Sequence, residues 1–193
     1  MKLILSSCDF GNPKSAQTIR ENLCKPLKDC RVLYFPNEKA TPDKIKSGKY
    51  ETRLAALGFQ RQNIFVANYD APARAVGLDI DIIYISGGNT FGTLKRIRDA
   101  GLDHAIVAYV QRGAAYIGGS AGAHIACADV AHVASYDTDT FGLTDFSGLG
   151  LYGGILICHY TKARAEHLQA LRQGARFPVT ALADDESIIV RED

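Results

Sequence analysis

The chain alternates short apolar runs with longer amphipathic ones, and that alternation leaves few folds open to it. Lys2–Ser6, Arg31–Pro36, Asn63–Ala67, Asp81–Ser86 and Ala115–Gly118 are short, rich in Ile, Val, Leu, Tyr and Phe, and bounded by turn residues. Such runs predict strands. Ile82-Ile83-Tyr84-Ile85 shows no polar alternation, so both of its faces need cover, as in a parallel sheet. Between the runs, Pro13–Cys24, Pro42–Leu57, Thr90–Ala100 and Leu102–Gln111 carry helical spacing. In Thr90–Ala100, Phe91, Leu94 and Ile97 share one face, while Lys95, Arg96 and Asp99 fall elsewhere. Gly58 and Gly101 mark helix ends. Strands joined in this way by helices predict a three-layer α/β/α domain with a mainly parallel sheet.

After Val130 the pattern becomes turn-rich. Loops and a hairpin are expected up to Gly154, then a strand at Gly154–Cys158, a helix at Thr161–Gln173, and strands at Val179–Leu182 and Ser187–Val190. No repeat or linker interrupts the 193 residues, which predicts a single domain. Lys and Arg number 22 against 21 Asp and Glu, and a net charge of +1 argues against a nucleic-acid partner. No run approaches the roughly 18 apolar residues of a membrane span, so no membrane partner is expected. Met1–Cys8 imitates a lipoprotein cleavage site, but its apolar centre is only Leu3–Leu5, which fits a buried first strand better. The five cysteines are odd in number and form no Cys-x-x-Cys pair. Free thiols and a cytoplasmic location follow as expectations.

Ala115-Tyr-Ile-Gly-Gly-Ser-Ala-Gly-Ala123 holds the strongest chemical signal. It is Gly-x-Ser-x-Gly at a strand-to-helix junction. A turn this sharp forces Ser120 outward as a nucleophile and needs small neighbours. It also leaves the Ala121 N–H unpaired at a helix start, aimed where an oxyanion develops. A second loop, Ser86-Gly-Gly-Asn-Thr-Phe91, follows a strand at its carboxyl end, where ligands bind in open α/β sheets. There Gly88 is a second oxyanion donor, and Asn89 and Thr90 are substrate-contact candidates, with Thr90 also placed to cap the next helix. Gly148-Leu-Gly-Leu-Tyr-Gly153 matches a dinucleotide fingerprint only as a string, because a strand follows it where the fingerprint requires a helix.

The serine needs a base. His159 closes the apolar run Ile155–Cys158, at a strand end on the same rim as Ser120, whereas the His124 side chain emerges along the helix. An orienting acid belongs beside it, and the turn Ala183-Asp184-Asp185-Glu186 offers three carboxylates that spacing alone does not separate.

Taken together, Ile83–Phe91, Arg112–Ala123, His159 beyond its strand and Ala181-Leu182 before the acidic turn resemble the peptidase E (aspartyl dipeptidase) family of serine peptidases. The resemblance spans most of the chain and implies a class I glutamine-amidotransferase-like (flavodoxin-like) fold. By that resemblance Ser120 is the nucleophile, His159 the base and Asp184 the acid. Gly88 and Ala121 are then the oxyanion donors, and Arg164 is the match for the arginine that holds a substrate Asp carboxylate. The implied reaction is hydrolysis of dipeptides with N-terminal Asp. It needs no metal or organic cofactor and no partner beyond a small peptide, with the chain a monomer or homodimer. A cyanophycinase-like isoaspartyl peptidase and a non-catalytic binding module are the rival readings.

Overall fold

The structure is a computed structural model that describes residues 1–174 and 176–191. Five strands expected from the apolar runs form: β1 (Lys2–Ser6), β2 (Val32–Phe35), β3 (Ile64–Val66), β4 (Ile82–Ile85) and β5 (Ala115–Gly119). They alternate with helices α1 (Pro13–Asn22), α2 (Pro42–Lys46), α3 (Lys49–Leu57), α4 (Thr90–Asp99) and α5 (Asp103–Gln111), and α6 (Ala121–Ala126) follows β5. The remaining elements are β6 (Ile155–Ile157), α7 (Ala165–Gly174), β7 (Val179–Ala181) and β8 (Ser187–Arg191).

Six strands make one sheet in the order β3-β2-β4-β5-β1-β8, all parallel except β8, which runs antiparallel to β1 at the edge. Its two faces follow from the period-two alternation of a strand. Leu3 and Leu5 pack on one side with Phe91, Leu94 and Ile97 of α4 and Ile106 of α5. Ile4 points the other way, toward Ile19 of α1 and Tyr50 and Leu54 of α3. Every residue of β4 is buried, as its unbroken apolar run requires. The expected three-layer, mainly parallel fold is therefore present.

Two expectations need correction. The helix expected over Pro42–Leu57 is two helices, because Gly48 adopts a left-handed φ of 70° between them and Thr41 caps only the first. In the turn-rich region no named strand forms a hairpin. Isolated bridges, Asp129 to Ser147 and Cys127 to Tyr152, and a short 3-10 turn at Ala131–Ser135 hold it instead. The expected strands β6 and β7 both form, outside the large sheet. They pair with each other as a separate parallel sheet of two strands, with Ile157 opposite Ala181. Among the described residues no helix is long and apolar enough to cross a membrane.

Candidate active site

Two pairs of parallel strands bring the chemistry together. In the large sheet Ser6 of β1 lies opposite Gly119 of β5, so the segments after them, Ser7–Asp9 and Ser120, leave the rim side by side. The Ser120 N–H donates to the Ser6 carbonyl at 2.9 Å. In the small sheet the Leu182 N–H donates to the Ile157 carbonyl and the Tyr160 N–H to the Leu182 carbonyl, both at 2.9 Å. His159, just past β6, and Asp184, just past β7, therefore emerge together.

The turn at Ser120 is as sharp as its sequence requires, with φ 48° and ψ −106°. A Cβ on Gly122 would overlap the Ile85 carbonyl, so only glycine lets α6 start this close to β4. Ser120 Oγ lies 2.8 Å from His159 Nε2, and His159 Nδ1 lies 2.6 Å from Asp184 Oδ1. The hydrogen bond from His159 is the chief cause that holds the Asp184 carboxyl below its ordinary range. An ionised carboxylate only accepts, so Nδ1 carries the ring proton and Nε2 presents its lone pair to Ser120. Ser7 braces the arrangement: its hydroxyl accepts from the His159 N–H at 2.7 Å and donates toward Asp184 Oδ1 at 3.5 Å.

The three carboxylates of the acidic turn now separate. Asp184 meets His159, Asp185 pairs with Lys14 at 2.9 Å on the surface, and Glu186 accepts from the Ala183 N–H at 2.8 Å.

A hollow of about 270 Å³ opens over Ser120, lined by Ser7, Cys8, Asp9, Arg53, Gly87, Ser120 and His159. The non-glycine residues with positive φ among those described are Asp9 (43°), Ser120 (48°) and His159 (54°), and all three line this hollow. Such backbone costs on the order of 1–3 kcal/mol per residue and collects at functional sites. Larger hollows of about 510 and 580 Å³ lie around Leu23, Cys24 and Lys25, the first of them at the amino ends of β1, β4 and β5. Neither is lined by a histidine, and the first lies on the rim opposite the one where such sheets bind ligands.

The other sequence-derived candidates divide. The N–H groups of Gly88 and Ala121 make no backbone hydrogen bond among the described residues. The α-carbon of the neighbouring Gly87 is the one facing Ser120. Asn89, not Thr90, caps α4: its Oδ1 accepts from the Gly92 N–H at 2.9 Å, and its Nδ2 donates to the Thr138 carbonyl. Thr90 is fully buried, with its hydroxyl 3.3 Å from His124 Nδ1, so it does not face the hollow. Arg164 is also engaged, with Nη1 on the Cys158 carbonyl at 2.5 Å and its guanidinium 4.3 Å from the centre of the Tyr136 ring.

His124 is structural. The Cys158 N–H donates to its Nε2 at 3.4 Å, tying α6 to the end of β6. Burial first, and then neighbouring His132, push its pKa well below the ordinary value.

Four hollow residues had no sequence signal: Ser7, Cys8, Asp9 and Arg53. Only the pairing of β1 with β5, and the packing of α3 on the same face, bring them to Ser120. Arg53 makes no ion pair or hydrogen bond among the described residues. Cys8 Sγ lies 3.8 Å from His159 Nδ1, and burial, with Asp184 beside it, raises the thiol to about 11.

The fold and the rim together define a flavodoxin-like α/β protein with a Ser-His-Asp cluster where its two sheets meet. The chain matches the profile of Peptidase family S51 over residues 2–193, and it belongs to that family. A 95-residue stretch is 40% identical to Peptidase E of Citrobacter koseri, covering 49% of this chain and 40% of that protein. An uncharacterised peptidase of Pasteurella multocida is 31% identical over 143 residues, 70% of this chain and 67% of that one. The matched stretches thus span between two fifths and two thirds of these curated relatives. A solved structure from Listeria monocytogenes, provisionally named a peptidase E protein, superposes with a TM-score of 0.70 at 22% identity, covering 100% of this chain and 98% of that one. A peptidase from an acI-B1 Actinobacterium gives 0.62 at 16% identity, with coverages of 98% and 83%. At these identities the structures establish the fold.

Proposed function

We propose that this chain is a serine peptidase acting on short peptides, with dipeptides carrying N-terminal Asp as its substrates. One observation carries the reading: the continuous path from Ser120 Oγ through the His159 ring to Asp184, at 2.8 and 2.6 Å. Ser120 attacks the scissile carbonyl as His159 Nε2 takes its proton. Asp184 keeps the ring in the tautomer that makes this possible and balances the imidazolium. The Gly88 and Ala121 N–H groups receive the oxyanion. His159 then returns the proton to the leaving amine, and water hydrolyses the acyl-enzyme by the same steps in reverse.

The preference for an acidic first residue rests on Arg53 in this reading. The resemblance points to Arg164, but that guanidinium already holds the Cys158 carbonyl beside His159 and is better suited to positioning the base. Arg53 lines the hollow with its donors uncommitted, and a guanidinium fork matches a carboxylate.

Steady-state hydrolysis of Asp-Leu and Ala-Leu tests the proposal. Asp-Leu is cleaved with a kcat/KM larger by about 100-fold or more, a gap of about 2.7 kcal/mol. Arg53→Met lowers kcat/KM for Asp-Leu by about 100-fold, to the level of Ala-Leu, and leaves Ala-Leu unchanged. Equal rates on the two dipeptides refute the Asp preference, and faster cleavage of a β-aspartyl dipeptide favours the isoaspartyl alternative.

A further inference from the structure

We propose that Cys8, His159 and Asp184 form an inhibitory binding site for a divalent transition-metal ion such as Zn²⁺. The site shares two residues with the proposed triad, and its inhibitory consequence rests on that reading. Metal binding itself does not. One thiol, one imidazole nitrogen and one carboxylate oxygen converge here from three separate turns, those after β1, β6 and β7. Their ligand atoms all lie within 4.8 Å of one another.

Thiolate, imidazole and carboxylate are the donor types zinc takes, at about 2.3, 2.0–2.1 and 2.0–2.2 Å. Tetrahedral geometry then sets the ligand atoms about 3.3–3.6 Å apart. Cys8 Sγ stands 3.8 Å from His159 Nδ1, close to that spacing. Asp184 Oδ1, at 2.6 Å from the same nitrogen, must withdraw by about 0.7 Å to admit an ion. Its side chain is 65% exposed, which leaves it room on the solvent side to make that movement. His159 is itself 41% exposed, which leaves solvent access for a water in the fourth position. Ser7, bonded to both the His159 backbone and Asp184, supplies the outer hydrogen bonds that steady metal ligands.

Inhibition follows from proton placement. An ion on Nδ1 replaces the ring proton there, and the neutral imidazole then carries its one proton on Nε2. That nitrogen faces Ser120 Oγ and becomes a donor where catalysis needs an acceptor. The Cys8 thiol releases its proton to solvent. The thiolate and carboxylate then balance the two positive charges of the ion, so the closed site is neutral. Nothing is oxidised or reduced.

Two readouts test the site on the intact protein. In the first, Zn²⁺ suppresses Asp-Leu hydrolysis by more than about 90%, EDTA restores it, and Cys8→Ser raises the half-inhibiting concentration about tenfold or more. Each variant is compared with its own metal-free rate. In the second, Co²⁺ titration gives a near-ultraviolet thiolate-to-cobalt band that Cys8→Ser removes and Cys24→Ser retains. Equal inhibition of wild type and Cys8→Ser, or a cobalt band that survives Cys8→Ser, overturns the proposal. If no peptide is cleaved at all, the peptidase reading fails, while the cobalt band still decides for or against the metal site.

Discussion

The two sheets supply the site by different physical means. In the large sheet Ser120, the proposed nucleophile, is seated by close packing, of Gly122 on the Ile85 main chain and of Gly119 on the Asp9 side chain. β1 is buried from Leu3 to Ser6, and neither Gly119 nor Gly122 has room for a Cβ. The small sheet has two strands of three residues, and β7 is only half buried. There the side chains of His159 and Asp184 are 41% and 65% exposed and are set by side-chain hydrogen bonds. The difference suits the proposed chemistry. A nucleophile gains from a rigid seat, whereas a base and its acid must shift slightly as a proton moves between partners.

Substitutions at the rim probe that contrast most severely. Ser120→Ala and His159→Ala each lower kcat by about 10⁴-fold or more, with circular dichroism spectra unchanged. Asp184→Asn lowers it by about 10²- to 10⁴-fold, while Asp185→Asn, which loses only an exposed pair with Lys14, stays within about twofold. A large loss in Asp185→Asn would move the acid to that residue.

Backbone room comes next in size. Gly122→Ala forces a methyl group into the Ile85 carbonyl and costs about 3 kcal/mol or more. Gly153→Ala, leading into the small sheet with nothing near its added Cβ, stays within about 0.5 kcal/mol. Urea unfolding of the two variants measures the contrast, and equal midpoints would erase it.

The seam between the sheets gives the smallest effect. Buried His124 keeps a lowered pKa in the folded protein. Below about pH 6.5 the unfolded chain therefore binds a proton there that the folded chain refuses. Stability falls as pH falls through that range, by up to about 1.4 kcal/mol per pH unit. His124→Asn flattens the dependence of melting temperature on pH between 7 and 5.5, and an unchanged slope would remove His124 as its source.

The large sheet was legible in the sequence for a local reason. Strands buried on both faces are unbroken apolar runs, and Ile82–Ile85 declares itself without reference to any neighbour. The elbow at Ser120 is legible too, because its glycines answer a constraint within a few residues. What the sequence hid is non-local. Pairing of β6 with β7 outside the main sheet leaves no periodic trace, since each strand reads like any other short apolar run. The meeting of Ser7, Cys8 and Asp9 with Ser120 depends on β1 lying beside β5, more than a hundred residues away. His159 was marked by its strand end, whereas spacing did not separate Asp184 from Asp185 and Glu186, and only the resemblance singled it out. The break at Gly48 was missed because a single glycine within apolar periodicity is compatible with a continuing helix.

The separation of the site between two sheets also orders it in time. The strands and helices that flank Ser120 in sequence, from β1 to α6, are encoded by residue 126, whereas His159 and Asp184 come later. A chain growing from its amino end passes through a long interval in which Ser120 has neither partner. Only when β7 has been made, and can dock beside β6, are His159 and Asp184 brought together at Ser120. On the proposed serine-peptidase reading, Ser120 therefore has no assembled base while the chain is being synthesised.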